Sequence, residues 1–388
     1  MKEWKTYRLG DIITISSGFP YKGEFIGKGN NYLLGMGCVS FKETFLKSGL
    51  RQYSGDAPER YIAQPGDIVL ATRQQSDNLP ILGMPAIIPQ AYNGYKMIIG
   101  ANLYKVQNES EFSNAYIYWL MKSPAYVHHI KSCQTGTTVR MITKANIEDF
   151  TFKAPEKSER DKIASFLWNI EEKIAINRQI NDNLEQQASS ILSDWTSTYP
   201  CRTYKLSDIC KYVSAKCDTG NLTSQNYIST ENMLPNKKGI VDASNIPTGK
   251  VTCFKVDDIL IANIRPYFQK IWKADTSGGC STDVLCIRSC VESHSPILYW
   301  ILHQDAFFEY VMTGAKGCKM PRGDKQHIMN WTIDLPEPDY WADIATQLGA
   351  VDQRIAYNRI ESNNLSNLRD TLLPKLMSGE LKINEIDC

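Results

Sequence analysis

Asn169-Ile-Glu-Glu-Lys-Ile-Ala-Ile-Asn-Arg178 recurs as Ala350-Val-Asp-Gln-Arg-Ile-Ala-Tyr-Asn-Arg359, and this recurrence decides how the chain is organised. Working outward, residues 136–195 map onto 317–376 at a constant offset of 181 without a gap. Ile147 falls on Ile328, Phe150 on Trp331, Pro155-Glu156 on Pro336-Glu337, and Tyr118-Trp119-Leu120 on Tyr299-Trp300-Ile301. Further upstream the offset drifts: Asp67-Ile-Val-Leu-Ala71 matches Asp258-Ile-Leu-Ile-Ala262 at 191, and Tyr7-Arg-Leu-Gly-Asp-Ile12 matches Tyr204-Lys-Leu-Ser-Asp-Ile209 at 197. The chain is one unit written twice. Framework segments are kept and the loops between them diverge, as two copies reading different targets would.

Residues 158–196 contain neither Gly nor Pro and carry an apolar repeat alternating by four and three: Ile163, Leu167, Ile170, Ile174, Asn177, Asn181, Leu184, Ala188, Ile191, Trp195. The same seam recurs from Ile344 to Leu376. This spacing predicts coiled-coil helices rather than the face of a globular helix. About 38 residues at ~1.5 Å each make a rod of roughly 55–60 Å, long enough to space two domains. Ser158 is the expected N-cap of the first helix, with Glu159 and Asp161 in its first turn. Pro374 and Gly379 are expected to stop or kink the second. Asn177 and Asn358 occupy equivalent seam positions, where a polar residue fixes register and partner orientation.

The expected fold class is α/β (α+β). Two globular recognition domains, 1–155 and 198–337, are separated by two long antiparallel coiled-coil helices, 156–197 and 338–388, under a pseudo-two-fold internal repeat. Bulk properties agree. The chain has 388 residues, 43% hydrophobic and 22% charged, enough for more than one core. No apolar run reaches the 18 or so residues of a membrane helix. The start Met1-Lys2-Glu3-Trp4-Lys5 lacks an apolar signal core, so a cytoplasmic location is expected. The net charge of +1 argues against strong DNA binding by the isolated chain, and for partners that share the phosphate grip.

Two pairs of segments stand out in the diverged parts. Lys316-Gly-Cys-Lys319-Met-Pro-Arg322-Gly-Asp-Lys325 carries four cations against one acid, and copy one has Thr135-Gly-Thr137-Thr138-Val-Arg140-Met-Ile-Thr-Lys144 at the matched place. Exposed Arg and Lys on such loops pair with phosphates, and Arg also binds guanine bidentately. A solvated charged loop is the usual reading of such a segment; recurrence at matched positions favours DNA contact. The second pair follows the duplicated strand: Thr72-Arg73-Gln74-Gln75 in copy one, Ile264-Arg265-Pro-Tyr-Phe-Gln269 in copy two. Arg reads guanine and Gln reads adenine in the major groove, which makes these candidate base readers. The aromatic pairs Tyr118-Trp119 and Tyr299-Trp300 read as core rather than as stacking platforms.

Catalytic and metal motifs do not hold up. Gly23-Glu-Phe-Ile-Gly27-Lys28-Gly29 is one residue short of a P-loop and has Gly where Ser or Thr would hold magnesium. Asn78-Leu-Pro80-Ile81 only echoes the catalytic site of adenine methyltransferases, and no Gly-rich loop for S-adenosylmethionine is apparent. Cys280, Cys286 and Cys290, with His294 nearby, lack the CxxC-type pair usual for zinc and read as free thiols.

At this point the chain resembles the specificity subunit of type I restriction–modification systems over essentially its whole length. The resemblance rests on Leu9-Gly10-Asp11-Ile12, Pro65-Gly66-Asp67-Ile68-Val69, Met320-Pro321-Arg322-Gly323-Asp324, and the two Ile-Ala-x-x-Leu helix starts. The ending Leu368-Arg369-Asp370-Thr371-Leu372-Leu373-Pro374-Lys375-Leu376-Met377-Ser378-Gly379-Glu380-Leu381 is also characteristic. It implies a non-catalytic subunit whose two domains each read half of an asymmetric, bipartite double-stranded DNA site. The helices would measure the spacer and dock two methyltransferase subunits. No cofactor is expected on this chain: S-adenosylmethionine belongs to the methyltransferase partners, and ATP and Mg to restriction subunits where these join. Copy one departs from the pattern, with Thr137-Thr138-Val139-Arg140-Met141 in place of the Met-Pro-Arg-Gly-Asp loop. The competing expectations are a coiled-coil adaptor that binds protein and a self-contained methyltransferase.

Overall fold

The computed structural model describes residues 4–75 and 80–385. Its contacts separate two compact units, Met1–Ile176 with Ser362–Cys388, and Asn177–Glu361. Each unit takes part of both long helices, Lys157–Thr198 and Trp341–Ser378. The units are therefore defined by packing and cut across both helices.

Unit 1 is built on two four-stranded sheets. One runs in the order Ile13–Ser17, Leu103–Asn108, Ile68–Ala71, Pro85–Ile87, all antiparallel; the other is Leu50–Tyr53, Ile26–Leu34, Met97–Ile99, Ile62–Ala63. Lys5–Arg8 pairs with Thr151–Ala154 and closes the domain at the foot of the helix. Ile68–Ala71 is buried at all four positions, which explains its unbroken Ile-Val-Leu-Ala reading. Unit 2 repeats the plan: Cys210–Tyr212, Val284–Ser289, Ile259–Ala262, Ile271–Lys273 form the matching antiparallel sheet. The turn before the duplicated strand needs a positive φ in both copies. Gly66 supplies it at φ 87° and Asp257 at 71°, and Asp is among the few non-Gly residues that tolerate this region.

The helices form as their composition dictates, with one difference, at the start of the first. The first opens at Lys157, where the N–H groups of Glu159 and Arg160 both donate to the Glu156 carbonyl at 3.1 Å. Ser158 is thus inside the first turn and is not the cap. The second runs through Pro374 and ends before Gly379, which takes the left-handed conformation at φ 79°. Pro374 sits only about one turn from the end, and Leu373, Leu376 and Met377 around it are buried in the unit 1 core with Ile163 and Leu167. That burial, about 1.5–3 kcal/mol per large side chain, holds the last turn despite the missing N–H.

In unit 2 the helices run antiparallel: Asn177 reaches Glu361, Asn181 reaches Asn358, and Trp195 Nε1 donates to the Tyr340 carbonyl. Ala188, Leu192 and Trp195 meet Trp341, Ile344, Leu348 and Val351 there. In unit 1 a buried ion pair between Arg369 and Glu171 joins the helices. The aromatic pairs are largely core as expected: Tyr118, Trp119 and Trp300 are buried, and Trp300 Nε1 donates to Asp352 at 2.8 Å. Among the described residues no helix is long and apolar enough to cross a membrane.

Candidate nucleic-acid interface

In unit 1 the two candidate segments are joined by hydrogen bonds. Beyond the buried strand Ile68–Ala71 the chain continues as Arg73–Gln74, which pairs antiparallel with Arg140–Met141, Arg140 opposite Gln74 and Met141 opposite Arg73. Thr135 and Met141 exchange backbone bonds of 3.0 and 2.8 Å, so residues 135–141 form a hairpin. Gly136 makes its turn at φ 90°, and a Cβ there would lie 2.2 Å from the Val139 carbonyl, so only Gly fits. Arg73, Gln75, Thr137 and Thr138 are exposed on this surface, and Arg140 and Lys144 are half-buried. The Lys144 ammonium lies 5.7 Å from the Tyr104 ring. Gln74 differs from expectation: it is buried, and its carboxamide oxygen accepts from the Leu82 N–H at 3.2 Å. Its side chain is committed to the Leu82 backbone and is not on the exposed surface.

Unit 2 uses the same frame with other side chains. Ile264 bridges Arg322 as Arg73 faces Met141, and Lys316 bridges Arg322 as Thr135 bridges Met141. The Arg265 N–H donates to the Pro321 carbonyl at 2.8 Å, and Gly323 N–H to the Asn263 carbonyl at 3.2 Å. A Cβ on Gly323 would come 2.8 Å from Asn263 Oδ1 and 3.0 Å from Val311, which accounts for the Gly of Met-Pro-Arg-Gly-Asp.

Charge is distributed unevenly over this loop. The Lys316 ammonium is 2.7 Å from Asp324, whose carboxylate also caps the helix Lys325–Met329 by accepting from Gln326 and His327 N–H. The bond from Lys316, with those two backbone donors, holds the Asp324 carboxyl at about 2. Arg322 pairs with Asp283 at 3.1 Å, and the Lys325 ammonium lies 5.8 Å from the Tyr212 ring. Lys319 and Arg265 are exposed. Gln269 is half-buried, and the nearby Asp305 carboxyl is lowered chiefly by the Lys237 ammonium 2.6 Å away.

Tyr267 and Phe268, inside the Ile264–Gln269 segment, carry no signal of a role in the sequence. Both rings are exposed, on the 3-10 turn Pro266–Phe268. An aromatic pair reads as core until the backbone at Arg265 is known.

The remaining candidates fall elsewhere. Asn177 and Asn358 are buried between the helices, Asn177 Nδ2 donating to Glu361 at 2.7 Å and Asn358 Nδ2 to Asn181 at 2.8 Å. The Gly23–Phe25 segment is a short turn leading into the strand Ile26–Leu34, without the helix of a phosphate loop. Asn78 of the methyltransferase echo, and Met1 to Glu3 of the N-terminal reading, lie outside the described residues. Cys280 and Cys286 are buried, with the Cys286 thiol 3.6 Å from an Asp258 carboxylate oxygen, while Cys290 is exposed. Among the described residues no three His, Cys, Asp or Glu converge as a metal-ligand set.

Residues 1–186 match the model of the type I restriction modification DNA specificity domain. The chain is 18% identical to the MjaIX type I restriction enzyme specificity subunit of Methanocaldococcus jannaschii, with 99% of this chain and 95% of the relative covered. It is 22% identical to the EcoDI type I restriction enzyme specificity subunit of Escherichia coli, with 69% of this chain and 70% of the relative covered. Among solved structures, the S subunit of a type I restriction-modification system from M. genitalium aligns with a TM-score of 0.56 at 16% identity, covering 96% of each chain, which is a likeness of fold. The resemblance read from the residues is borne out.

Proposed function

We propose that this chain, similar over nearly its whole length to a type I restriction enzyme specificity subunit and over residues 1–186 to the type I DNA specificity domain, is the sequence-reading, non-catalytic subunit of such a complex. Each recognition domain reads one half of an asymmetric, bipartite site in double-stranded DNA. The observation that carries this reading is the repeated frame. In both units a buried strand leads into a segment bonded to a glycine-turned hairpin, and the backbone bonds recur pair for pair. The side chains on that frame differ at nearly every place: Arg73 against Ile264, Thr138 against Lys319, Met141 against Arg322. A constant scaffold with variable side chains is what two different half-sites require.

The long helices set the unread spacer and dock two methyltransferase subunits, with restriction subunits as an optional further pair. Asn177 and Asn358 fix the helix register: a buried amide that loses its partner costs about 1–3 kcal/mol, so slipped pairings are disfavoured. S-adenosylmethionine is held by the methyltransferase partners, and ATP and Mg by the restriction subunits. The net charge of +1 fits a subunit that shares the phosphate grip with them. Exchange of residues 198–337 for the corresponding segment of a relative, followed by methylome sequencing of the host, is the test. One half of the methylated motif changes and the other stays. A change in both halves, or in neither, rejects the assignment.

A further inference from the structure

Tyr267 and Phe268 sit side by side, ring centroids 4.7 Å apart, 50% and 38% exposed. Large aromatic rings are normally buried, and leaving two adjacent ones in water forgoes the free energy that burial would return. The turn that displays them is also strained. Arg265 before it and Gln269 after it both adopt left-handed backbone, at φ 52° and 51°. Neither is a glycine, so each is held at a cost that only surrounding structure can impose. The restraints are visible. Phe268 N–H donates to the Arg265 carbonyl at 3.0 Å, and Gln269 N–H to Pro266 at 2.8 Å. From outside the turn, Asn236 and Lys237 N–H donate to the Phe268 and Gln269 carbonyls at 2.8 and 2.9 Å, and Pro266 is buried beneath. The rings therefore stand on a preorganised platform, next to Arg265, whose own N–H is bonded to the Met-Pro-Arg-Gly-Asp loop at Pro321. A rigid platform loses little conformational freedom on binding.

We infer that Tyr267 and Phe268 are specificity-determining residues that read A·T pairs in the half-site of unit 2 by apolar contact with thymine 5-methyl groups. This rests on the DNA-reading function proposed above. In the major groove the thymine methyl is the one apolar feature of the base-pair edges, and aromatic side chains recognise it by contact alone. Arg265, whose neighbouring guanidinium suits guanine, leaves the flanking pair to the rings. No polar group of the turn is needed for this part of the readout.

The test uses the complete complex with its methyltransferase subunits and a duplex carrying the methylated motif. Each thymine of the unit 2 half-site is replaced singly by uracil, which removes only the methyl. The wild type should weaken about fourfold at one position or more, the value of one buried methyl-sized group. A double variant, Tyr267→Ala with Phe268→Ala, should bind the natural duplex less well and show no further loss at those positions. Tyr267→Ala alone, with Phe268 left in place, serves if the double variant melts early. The inference falls if wild type is indifferent to uracil throughout, if the variant discriminates thymine from uracil as wild type does, or if the half-site has no A·T pair. It also falls if 2-aminopurine placed in the half-site brightens with wild type and not with the variant while uracil is silent, since the rings then unstack bases. Failure of the underlying function looks different: the wild-type complex would show no sequence-selective binding at all.

Discussion

Gln74 and Arg265 hold the same place in the two units, one residue past the bridge to the hairpin, yet their side chains have opposite fates. Gln74 continues the extended strand, turns inward and is held by the Leu82 N–H. Arg265 switches to left-handed backbone, which turns its side chain to solvent while its N–H still bonds Pro321. The difference shows what duplication preserves here. The backbone hydrogen bonds persist and fix the frame, while the local backbone conformation differs, extended at Gln74 and left-handed at Arg265. Breaking this contrast should give the largest effect. Arg265→Ala should lower affinity for the cognate duplex about 10–100-fold and relax one position of one half-site, the range for a lost guanine contact. Gln74→Ala should instead lower the stability of the chain by about 1 kcal/mol and leave base preference unchanged. Competition binding against single-substitution duplexes, with urea melts of both variants, separates the two. Equal shifts in base preference would erase the distinction.

A second matched pair lies in the cores. Lys122 and His303, 181 residues apart, end the equivalent helices, and both bases are buried. The Lys122 ammonium donates to the Phe41 carbonyl at 2.8 Å, and burial, with the nearby Arg369 charge, brings it down to about 7. His303 lies 4.8 Å from the Trp300 ring, and burial, with Lys237 and Lys238, lowers it to about 3. An unfolded His takes up its proton near 6.5, so between about 6.5 and 3 the unfolded chain binds more protons than the folded one. Stability in unit 2 therefore falls as pH falls through that window, by at most about 1.4 kcal/mol per pH unit for this group. For Lys122 the same sign holds in a higher window, from an unfolded value near 10.4 down to about 7. Urea-melt stabilities of wild type and His303→Leu, compared from pH 7 to 5, should diverge by about 2 kcal/mol over that range, the variant being the flatter. Parallel curves would mean that His303 takes up its proton in the folded core at the same pH as in the unfolded chain.

The duplication, both helices and the core role of Tyr118, Trp119 and Trp300 were legible because they rest on spacing, and spacing survives in one dimension. The joining of residues 73–75 to 135–144, and of 264–269 to 316–325, was not legible, since hydrogen bonds between strands leave no periodic trace. Gln74 looked like a base reader until Leu82, eight residues on, claimed its oxygen. Lys316 and Arg322 looked free until Asp324 and Asp283 were found beside them, and Asp283 lies far off in sequence. The second helix stops before Gly379 as its sequence indicates, and the burial of Leu373 and Leu376 lets it pass Pro374 first.

The smallest contrast is the cleanest to exchange. At the tip of the hairpin unit 2 carries Lys319 and unit 1 carries Thr138, both exposed and at matched positions. A lysine on a phosphate releases about one counterion, which steepens the logarithmic salt dependence of binding by ~0.9. Lys319→Thr should therefore flatten the slope by about that amount and Thr138→Lys should steepen it by the same. Between 50 and 200 mM salt this is a change of about three- to fourfold in affinity, uniform across sequences because phosphates carry no base identity. Filter binding by the complete complex at five salt concentrations measures both slopes. If Lys319→Thr alters base preference and leaves the slope alone, the hairpin tip reads a base edge, and the two loops differ in kind rather than in charge. If both variants move the slope in opposite directions by similar amounts, the hairpin tips are equivalent phosphate-facing positions, and sequence reading is left to the strand-following segments beside them.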